Sequence, residues 1–176
     1  MKEGIFEEKK EYNFMKGLNQ FMKKNYLKII FFISVLFFYY LPSFLFPIDQ
    51  EFYNSLNGPK LPPWAFILAW SIIYVTMSFF ATHYVFYPKD KRNAETKRIF
   101  IFLIVNYVVQ TLYLPAFNVW HNLFASYVLV LFTFVSILIV ALESLLVNKK
   151  ITLLTIPYIL WSIVASVISI LIYLQN

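Results

Sequence analysis

Five long apolar stretches constrain this 176-residue chain more than any other feature of its sequence. Each has about 20 residues with almost no charge, which is the length an α-helix needs to cross the hydrocarbon core of a bilayer. The stretches lie at residues 27–46, 64–84, 99–117, 123–142 and 153–174. They are continuous, whereas the strands of a membrane barrel alternate apolar and polar residues over about ten positions. The sequence therefore predicts an all-α integral membrane protein, a bundle of five transmembrane helices.

The distribution of basic residues predicts how the chain is oriented. Lysines and arginines precede the first stretch and fill the loops between the second and third and between the fourth and fifth. The 47–63 loop has only Lys60 beside Asp49 and Glu51, and the 118–122 connection has no lysine or arginine. Because cytoplasmic loops are enriched in lysine and arginine, we expect the N-terminus inside and the C-terminus outside. The net charge of +6 is then a topology signal, and no nucleic-acid partner is expected.

The start of the chain differs in character from the rest. Residues 1–25 are polar and of mixed charge, and we expect a flexible or surface-lying extension in front of a membrane domain at 26–176. Residues 1–21 are expected to be dispensable, because Met22 begins MKKNYLKIIFF, a usual start for a small inner-membrane protein. No A-x-A cleavage site follows the first stretch, which should therefore remain as an anchor. The low glycine and high lysine, isoleucine and phenylalanine content favours a bacterial inner membrane.

Most chemistry of soluble enzymes is excluded by the residue types. The chain has no cysteine, which excludes disulfides, iron–sulfur clusters, thiolate haem ligation and cysteine catalysis. His83 and His121 are predicted at opposite ends of a bilayer core about 30 Å thick, so no shared metal site is expected. Glu143, at the inner end of the fourth stretch, is expected to reach toward Lys149 or Lys150 rather than to relay protons. The predicted midplane has no charged residue, which argues against ion-coupled transport.

Aromatic and amide side chains occupy the predicted membrane interior. Trp70 and Tyr74 lie four residues apart, so both fall on one face of the second helix. Gln110 falls near the midplane of the third helix, where an unpaired amide is costly, so it should face protein or a cavity. The residues that extend these faces, or form a similar one on the fifth stretch, are Met77, Ala81, Asn106, Tyr113, Phe117, Pro157, Tyr158, Trp161 and Ala165. Together they predict an apolar pocket with Gln110 at its wall.

Helix packing is the alternative interpretation of these residues. Gln110 and the tryptophans would then only join helices, and Trp64 and Trp120 would form part of an interfacial aromatic belt. A stripe of small residues on the fifth stretch is suited to close helix packing, and it consists of Ser162, Ser166 and Ser169.

The loop before the second stretch is predicted to be stiff. It reads LNGPKLPPWAFILAW over residues 56–70, and Pro59, Pro62 and Pro63 fix the φ angle and keep it out of helix and sheet ladders. The segment can therefore form a lid over the second, third and fifth helices and direct Trp70 inward beneath it. Phe52, Tyr53 and Trp64 complete the predicted lid.

These motifs resemble the tryptophan-rich sensory proteins, the TspO family related to the translocator protein (peripheral benzodiazepine receptor). The resemblance covers residues 27–176 and rests on three motifs taken in order. They are the turn with Leu56, Pro59, Pro63 and Trp64, the group Trp70, Tyr74 and Met77, and the run Pro157-Tyr158-x-x-Trp161 with Ala165. The chain departs from the family's usual pattern at four places. Phe52 replaces a tryptophan, Gln110 and Tyr113 stand for an asparagine and a tryptophan, and Ser169 lies near a usual asparagine.

The resemblance implies a five-helix bundle, often a homodimer, whose lidded pocket accepts porphyrins, sterols and benzodiazepine-type ligands. No permanently bound cofactor is expected, and protoporphyrin IX or a haem-like tetrapyrrole would be a ligand. The expected ligand contacts are Trp70, Tyr74, Gln110, Tyr113, Tyr158, Trp161 and Ala165. Stacking at about 0.5 to 1.5 kcal/mol per aromatic pair and one hydrogen bond of about 1 kcal/mol would support roughly micromolar affinity.

Three classes of function stay open at this point. The first is a receptor that binds tetrapyrroles for sensing or handling. The second is an enzyme that breaks down bound porphyrin with light and oxygen, a route that the resemblance implies and that would depend on Trp70 and Trp161. The third is a passive transporter or an interaction scaffold.

Overall fold

The computed structural model describes the backbone of residues 2–176 and the side chains of residues 15, 16 and 25–176. Within that part of the chain the structure is helical, with no strand. The helices are α1 Lys2–Leu45, α2 Gln50–Ser55, α3 Pro63–Val85, α4 Ala94–Asn118, α5 Leu123–Val147, α6 Lys149–Thr152 and α7 Ile156–Gln175, with short 3-10 helices at Lys89–Lys91 and Leu153–Thr155. Five segments are long and apolar enough to cross a membrane, namely Asn25–Leu45, Pro63–Val85, Ala94–Asn118, Leu123–Val147 and Lys149–Gln175. The prediction of an all-α membrane bundle with five spans is confirmed.

Local capping signals decide where the long helices begin. α3 begins with Pro63, a residue favoured in the first helical turn because it has no N–H to leave unpaired. α4 begins at a capping box in which the Asn93 Oδ1 accepts from the Thr96 backbone N–H at 3.0 Å. The Asn122 side chain caps α5 by accepting from the Ala125 N–H at 2.9 Å. α4 therefore starts five residues before the predicted stretch at 99, because its first turn is polar and escapes a hydropathy criterion.

The first helix is much longer than a membrane requires. α1 has 44 residues, which at 1.5 Å per residue is about 66 Å, roughly twice the thickness of the hydrocarbon core. The predicted boundary between residues 25 and 26 does not coincide with a break in this helix. Whether the 1–25 extension lies on the membrane surface, and whether residues 1–21 are dispensable, stay predictions.

One half of the bundle contains a densely packed core. α4 packs most extensively against α5, α5 packs against α7, and α1 packs against α3. The main buried cluster consists of Tyr39, Ile73, Tyr74, Met77, Phe80, Tyr84, Ile99, Leu103, Ile137, Val140 and Tyr158. Asn106 joins α4 to α5 here, since its amide donates to the Thr133 carbonyl at 3.1 Å and to the Ser136 hydroxyl at 2.9 Å.

A polar network closes the end of this packed half. The Tyr84 and Ser144 hydroxyls are 2.8 Å apart, and Ser144 also meets the Thr152 hydroxyl at 2.7 Å. Glu143 pairs with Arg98, with 2.7 Å between Oε1 and Nε, so the predicted reach toward Lys149 or Lys150 was wrong. The reason is the early start of α4, which places Arg98 in a helical turn beside α5.

Candidate functional site

A cavity of about 530 Å³ occupies the other half of the bundle. All five spans contribute to its wall, and the loop between α1 and α3 covers it. The lining residues end at Tyr74 on α3, Gln110 on α4, Thr133 on α5 and Trp161 on α7, above the packed half. A volume of this size falls within the roughly 300 to 1,000 Å³ of cavities that hold small organic ligands.

An aromatic wall forms one side of the cavity. The ring centroids of Trp70 and Trp161 lie 6.4 Å apart with an interplanar angle of 75°. Trp70 also meets Tyr74 at 5.5 Å, and Phe66 meets Trp161 edge-on at 5.6 Å. The Trp70–Tyr74 pair is tilted, at 33°, and the other two contacts are edge-to-face. Together they hold the rings in place and leave faces available for stacking on a flat ligand. The predicted ligand contacts that line this cavity are Trp70, Tyr74, Gln110, Tyr113, Trp161 and Ala165.

Tyr158 lies behind the wall rather than on it. Its side chain is fully buried, and its hydroxyl donates to the Gln110 Oε1 at 2.5 Å. Three residues rotate an α-helix by about 300°, so Tyr158 is offset by about 60° from Trp161, and only Trp161 reaches the cavity. The bond from Tyr158 therefore fixes the orientation of the Gln110 side chain. Because its oxygen is used in that bond, Gln110 can offer a ligand only its NH₂ group, as a hydrogen-bond donor.

The Trp161 indole lacks a hydrogen-bond partner. Its Nε1 atom is buried and has no acceptor among the residues that the structure describes. An unpaired buried donor costs about 1 to 3 kcal/mol. Because this nitrogen has no accessible surface, a ligand in the cavity would meet the ring of Trp161 and not its N–H.

The lid, defined here as residues 46–63, is held together by Tyr53. Its hydroxyl accepts from the Leu61 N–H and donates to the Leu61 carbonyl, both at 3.1 Å. Burial raises the pKa of Tyr53, so the hydroxyl stays protonated and can serve both bonds. Tyr53 and Pro63 line the cavity, whereas the other predicted lid residues, Phe52, Pro59, Pro62 and Trp64, do not.

Phe52 instead fixes the lid to the connection between α4 and α5. Its ring stacks on His121, with centroids 3.9 Å apart, and packs against Phe117 at 5.5 Å. The His121 Nε2 lies 3.1 Å from Asp49 Oδ2, while the Asp49 Oδ1 accepts from the Phe52 backbone N–H at 2.9 Å. The backbone bond, followed by the His121 contact, lowers the pKa of Asp49 although partial burial opposes the shift. Trp64 is 66% exposed, as expected for an interfacial position.

A second contact holds the lid to the end of α7. The Asn57 N–H donates to the Asn176 Oδ1 at 2.9 Å, and the Asn176 amide donates to the Asn57 carbonyl at 3.0 Å. Gly58 follows with φ of +110°, and a Cβ there would lie 3.2 Å from the Gln175 Oε1. Glycine is the residue that adopts this backbone conformation without strain, so it permits the close approach.

Comparisons with known proteins agree with this architecture. The family model described as TspO/MBR matches residues 29–174. The chain belongs to the TspO/MBR family. It is 30% identical over 166 residues to the tryptophan-rich protein TspO of Bacillus cereus, which covers 89% of this chain and 99% of the relative. It is also 31% identical over 139 residues to the uncharacterized membrane protein YtaB of Bacillus subtilis, over 76% of this chain and 86% of that protein. The resemblance seen in the sequence is confirmed.

Two further spans of this TspO/MBR chain, α1 and α5, line the cavity, and the sequence analysis did not predict their contribution. On α1, Tyr40 lines the wall and its hydroxyl donates to Ser71 at 3.0 Å. On α5, Ser126 and Thr133 line the wall. Ser126 and Thr133 are seven residues apart in an otherwise apolar helix, so this spacing was a usable signal. Tyr40 lies within an aromatic run that carries no comparable periodicity.

Proposed function

We propose that this TspO/MBR protein binds tetrapyrroles of the protoporphyrin type in the cavity beneath the lid. The observation that carries the proposal is the pair of indoles, Trp70 and Trp161, on one wall of a cavity of about 530 Å³. A flat macrocycle offers these rings a large stacking face, and the Gln110 amide supplies a hydrogen bond at the base. Sterols and benzodiazepine-type molecules are further candidates for the same cavity.

Burial alone does not select such a ligand from a membrane. Lipid tails surround a flat apolar molecule about as well as leucine side chains do, so moving it into the protein gains little. Selection must come from shape, from stacking and from the polar groups of the wall. With about 0.5 to 1.5 kcal/mol per stacked pair, about 1 kcal/mol for the hydrogen bond and the usual ordering costs, we expect roughly micromolar affinity.

The wall suits a metal-free tetrapyrrole better than haem. Proteins hold haem iron mainly through histidine, cysteine, methionine or tyrosine. The described residues that line the cavity include no histidine, cysteine or methionine, and the tyrosines there, Tyr40, Tyr53, Tyr74 and Tyr113, would have to lose a proton to bind iron. No permanently bound cofactor is therefore part of the proposal.

The decisive test is a titration in nanodiscs. Protoporphyrin IX is added in the dark while tryptophan fluorescence is followed, with empty nanodiscs as the reference for partitioning into lipid. We expect saturable quenching that weakens in Trp70→Phe and Trp161→Phe, while Trp120→Phe, which changes an exposed indole outside the cavity, behaves as the wild type. Quenching that rises without saturation, as in empty discs, would contradict the proposal.

Porphyrin breakdown is a second candidate, favoured by the contact between two indoles at the wall. In this reaction a light-excited porphyrin and dioxygen would react beside Trp70 and Trp161. Illumination of the titrated sample would then bleach the porphyrin band, and Trp161→Phe would abolish bleaching while some binding persists. An unchanged absorbance would leave binding as the function.

The cellular setting is part of the proposal. The chain is an integral membrane protein, and the two relatives named above come from bacteria, which supports a bacterial cell membrane as its location. We further propose a homodimer with the N-terminus inside and the C-terminus outside. A role in passive transport or as a scaffold is the third candidate, and the packed half of the bundle argues against transport through the cavity.

A further inference from the structure

One part of the cavity wall is also part of the outer surface of the protein. Six residues both line the cavity and are exposed, and they are Ser43, Pro47, Ile48, Gln50, Pro63 and Ile67. Ile67 is 68% exposed. The described lining residues on α4, α5 and α7, by contrast, are all buried or half-buried. The six exposed residues gather around the end of α1 and the start of α3, and they mark the rim of an opening, called the mouth below.

The mouth lies at the depth of the membrane. Ser43 and Ile67 belong to the first and second membrane-spanning segments, and each lies within about one helical turn of the end that meets the lid. The helix surfaces beside them carry exposed apolar side chains, including Phe44 and Leu68. Trp64, at the start of α3, is exposed where a tryptophan is typical of the boundary between lipid and water. The mouth therefore faces the bilayer.

The wall and the mouth are uncharged. Among the residues that the structure describes, none that lines the cavity is a lysine, arginine, histidine, aspartate or glutamate. Asp49 and Glu51 flank Gln50 at the lid end of the mouth, outside the membrane-spanning segments. Because an exposed charge is costly in hydrocarbon, an opening without one is suited to contact with lipid.

The lid is attached to the three helices that do not border the mouth. The Asn118 amide donates to the Phe46 carbonyl at 3.2 Å, which joins the lid to the end of α4. The contacts described above join Phe52 to the connection between α4 and α5, and Asn57 to the end of α7. A ligand that came from water over these helices would have to break such contacts, whereas the mouth is open while all of them are in place.

We propose that ligands enter and leave this cavity sideways from the lipid, through the mouth between α1 and α3, while the lid stays closed. The ligand class is an apolar molecule already dissolved in the bilayer, whose concentration at the mouth is set by its partition into lipid. This inference rests on the proposed function, because it describes the access route to the same site.

The first test places a plug in the mouth. The chain has no cysteine, so a single introduced thiol can be labelled cleanly. Ile67→Cys is alkylated with N-cyclohexylmaleimide in detergent, transferred to nanodiscs and mixed with protoporphyrin IX, while tryptophan quenching is followed by stopped flow. We expect association and dissociation to slow at least tenfold. Ser43→Cys carries the same plug on the α1 side of the mouth and should behave alike.

Leu68→Cys with the same label is the matched control. Leu68 is exposed on the same turn of α3 but does not line the cavity, so its labelled variant should exchange porphyrin within twofold of the wild-type rates. Unchanged rates in both plugged variants, or equal slowing in the Leu68 control, would overturn the inference while the proposed function stands. Absence of saturable binding to the wild type would overturn the proposed function itself.

The second test fixes the lid in its closed position. Asn57→Cys and Asn176→Cys are combined and joined by a short crosslinker that reacts with both thiols, and the product is verified by mass spectrometry. Entry from lipid should continue within twofold of the rate before crosslinking. Added lipid at constant total porphyrin should slow association in proportion to the mole fraction of porphyrin in the membrane. A tenfold loss of rate on crosslinking would show that ligands pass beneath an opened lid and would overturn the inference.

Discussion

At the scale of single residues, the Gln110 amide depends on Tyr158 for its place in the wall. Tyr158→Phe would remove the donor to the Gln110 Oε1 and leave a buried acceptor unpaired. We expect a loss of about 1 to 3 kcal/mol in stability, together with weaker ligand binding. Thermal unfolding in detergent measures the first effect, and the nanodisc titration measures the second.

Tyr173→Phe is the matched control for this variant. Tyr173 is 38% exposed and lies outside the cavity, so removing its hydroxyl should change neither quantity. If Tyr158→Phe melted and bound like Tyr173→Phe, the hydrogen bond to Gln110 would have no role in holding the wall.

Residue-level reasoning from sequence succeeded where one side chain imposes a physical requirement. An amide near the midplane must be paired, which predicts that Gln110 faces protein or a cavity, and the structure places it on the cavity wall. The identity of its partner could not be read in the same way. Tyr158 and Trp161 share a motif, and only the rotation of α7 against α4 decides which of them faces the cavity and which supports it.

At the scale of elements, the cap of α2 makes the lid sensitive to acid. The pKa of Asp49 is lowered in the folded protein, so the cap is complete above the ordinary pKa of an aspartate and is lost as pH falls through the lowered value. We expect hydrogen exchange of the Phe52 amide, corrected for its intrinsic pH dependence, to accelerate over that acidic range. Asp49→Asn should keep the cap, because asparagine caps helices about as well, and should abolish the pH dependence. Persistent pH dependence in that variant would assign the effect to another group.

The five membrane-spanning helices could be predicted from the sequence, whereas the residues at which they begin were harder to predict. Apolar length identifies all five spans, because hydrocarbon thickness sets a single requirement on each of them. It misses the polar first turn of α4, where a capping box rather than hydropathy starts the helix. It also misses the continuation of α1 back to Lys2, since a polar helix has no hydropathy signal.

At the scale of the whole molecule, the charges of the loops predict the orientation. We expect alkaline phosphatase fused after residue 176 to be active in a bacterial host and a green fluorescent protein at the same site to be dark, because each reporter matures on one side of the membrane. Fusions after Asp90 should give the opposite pair of results. Active phosphatase after Asp90 would reverse the proposed orientation.

The cavity as a whole was less predictable than its aromatic wall. Motifs on the second, third and fifth spans indicated a pocket, but α1 and α5 also line it through residues such as Tyr40 and Ser126. Their participation follows from how five helices assemble, which depends on contacts between residues far apart in sequence. The neutral character of the wall is likewise a property of the assembled set, and no single segment displays it.

The packed half of the bundle has a consequence for the membrane in which the protein resides. Below Tyr74 and Gln110 the interior is filled by side chains such as Met77, Phe80 and Ile137, each without exposed surface. Within the part of the chain that the structure describes, a molecule in the cavity would have to displace these side chains to pass through the protein toward the other end of the bundle. Protons would meet the same packed side chains. A cell membrane could therefore contain many copies of this protein, each with an apolar cavity open toward one side, without losing its proton gradient through them.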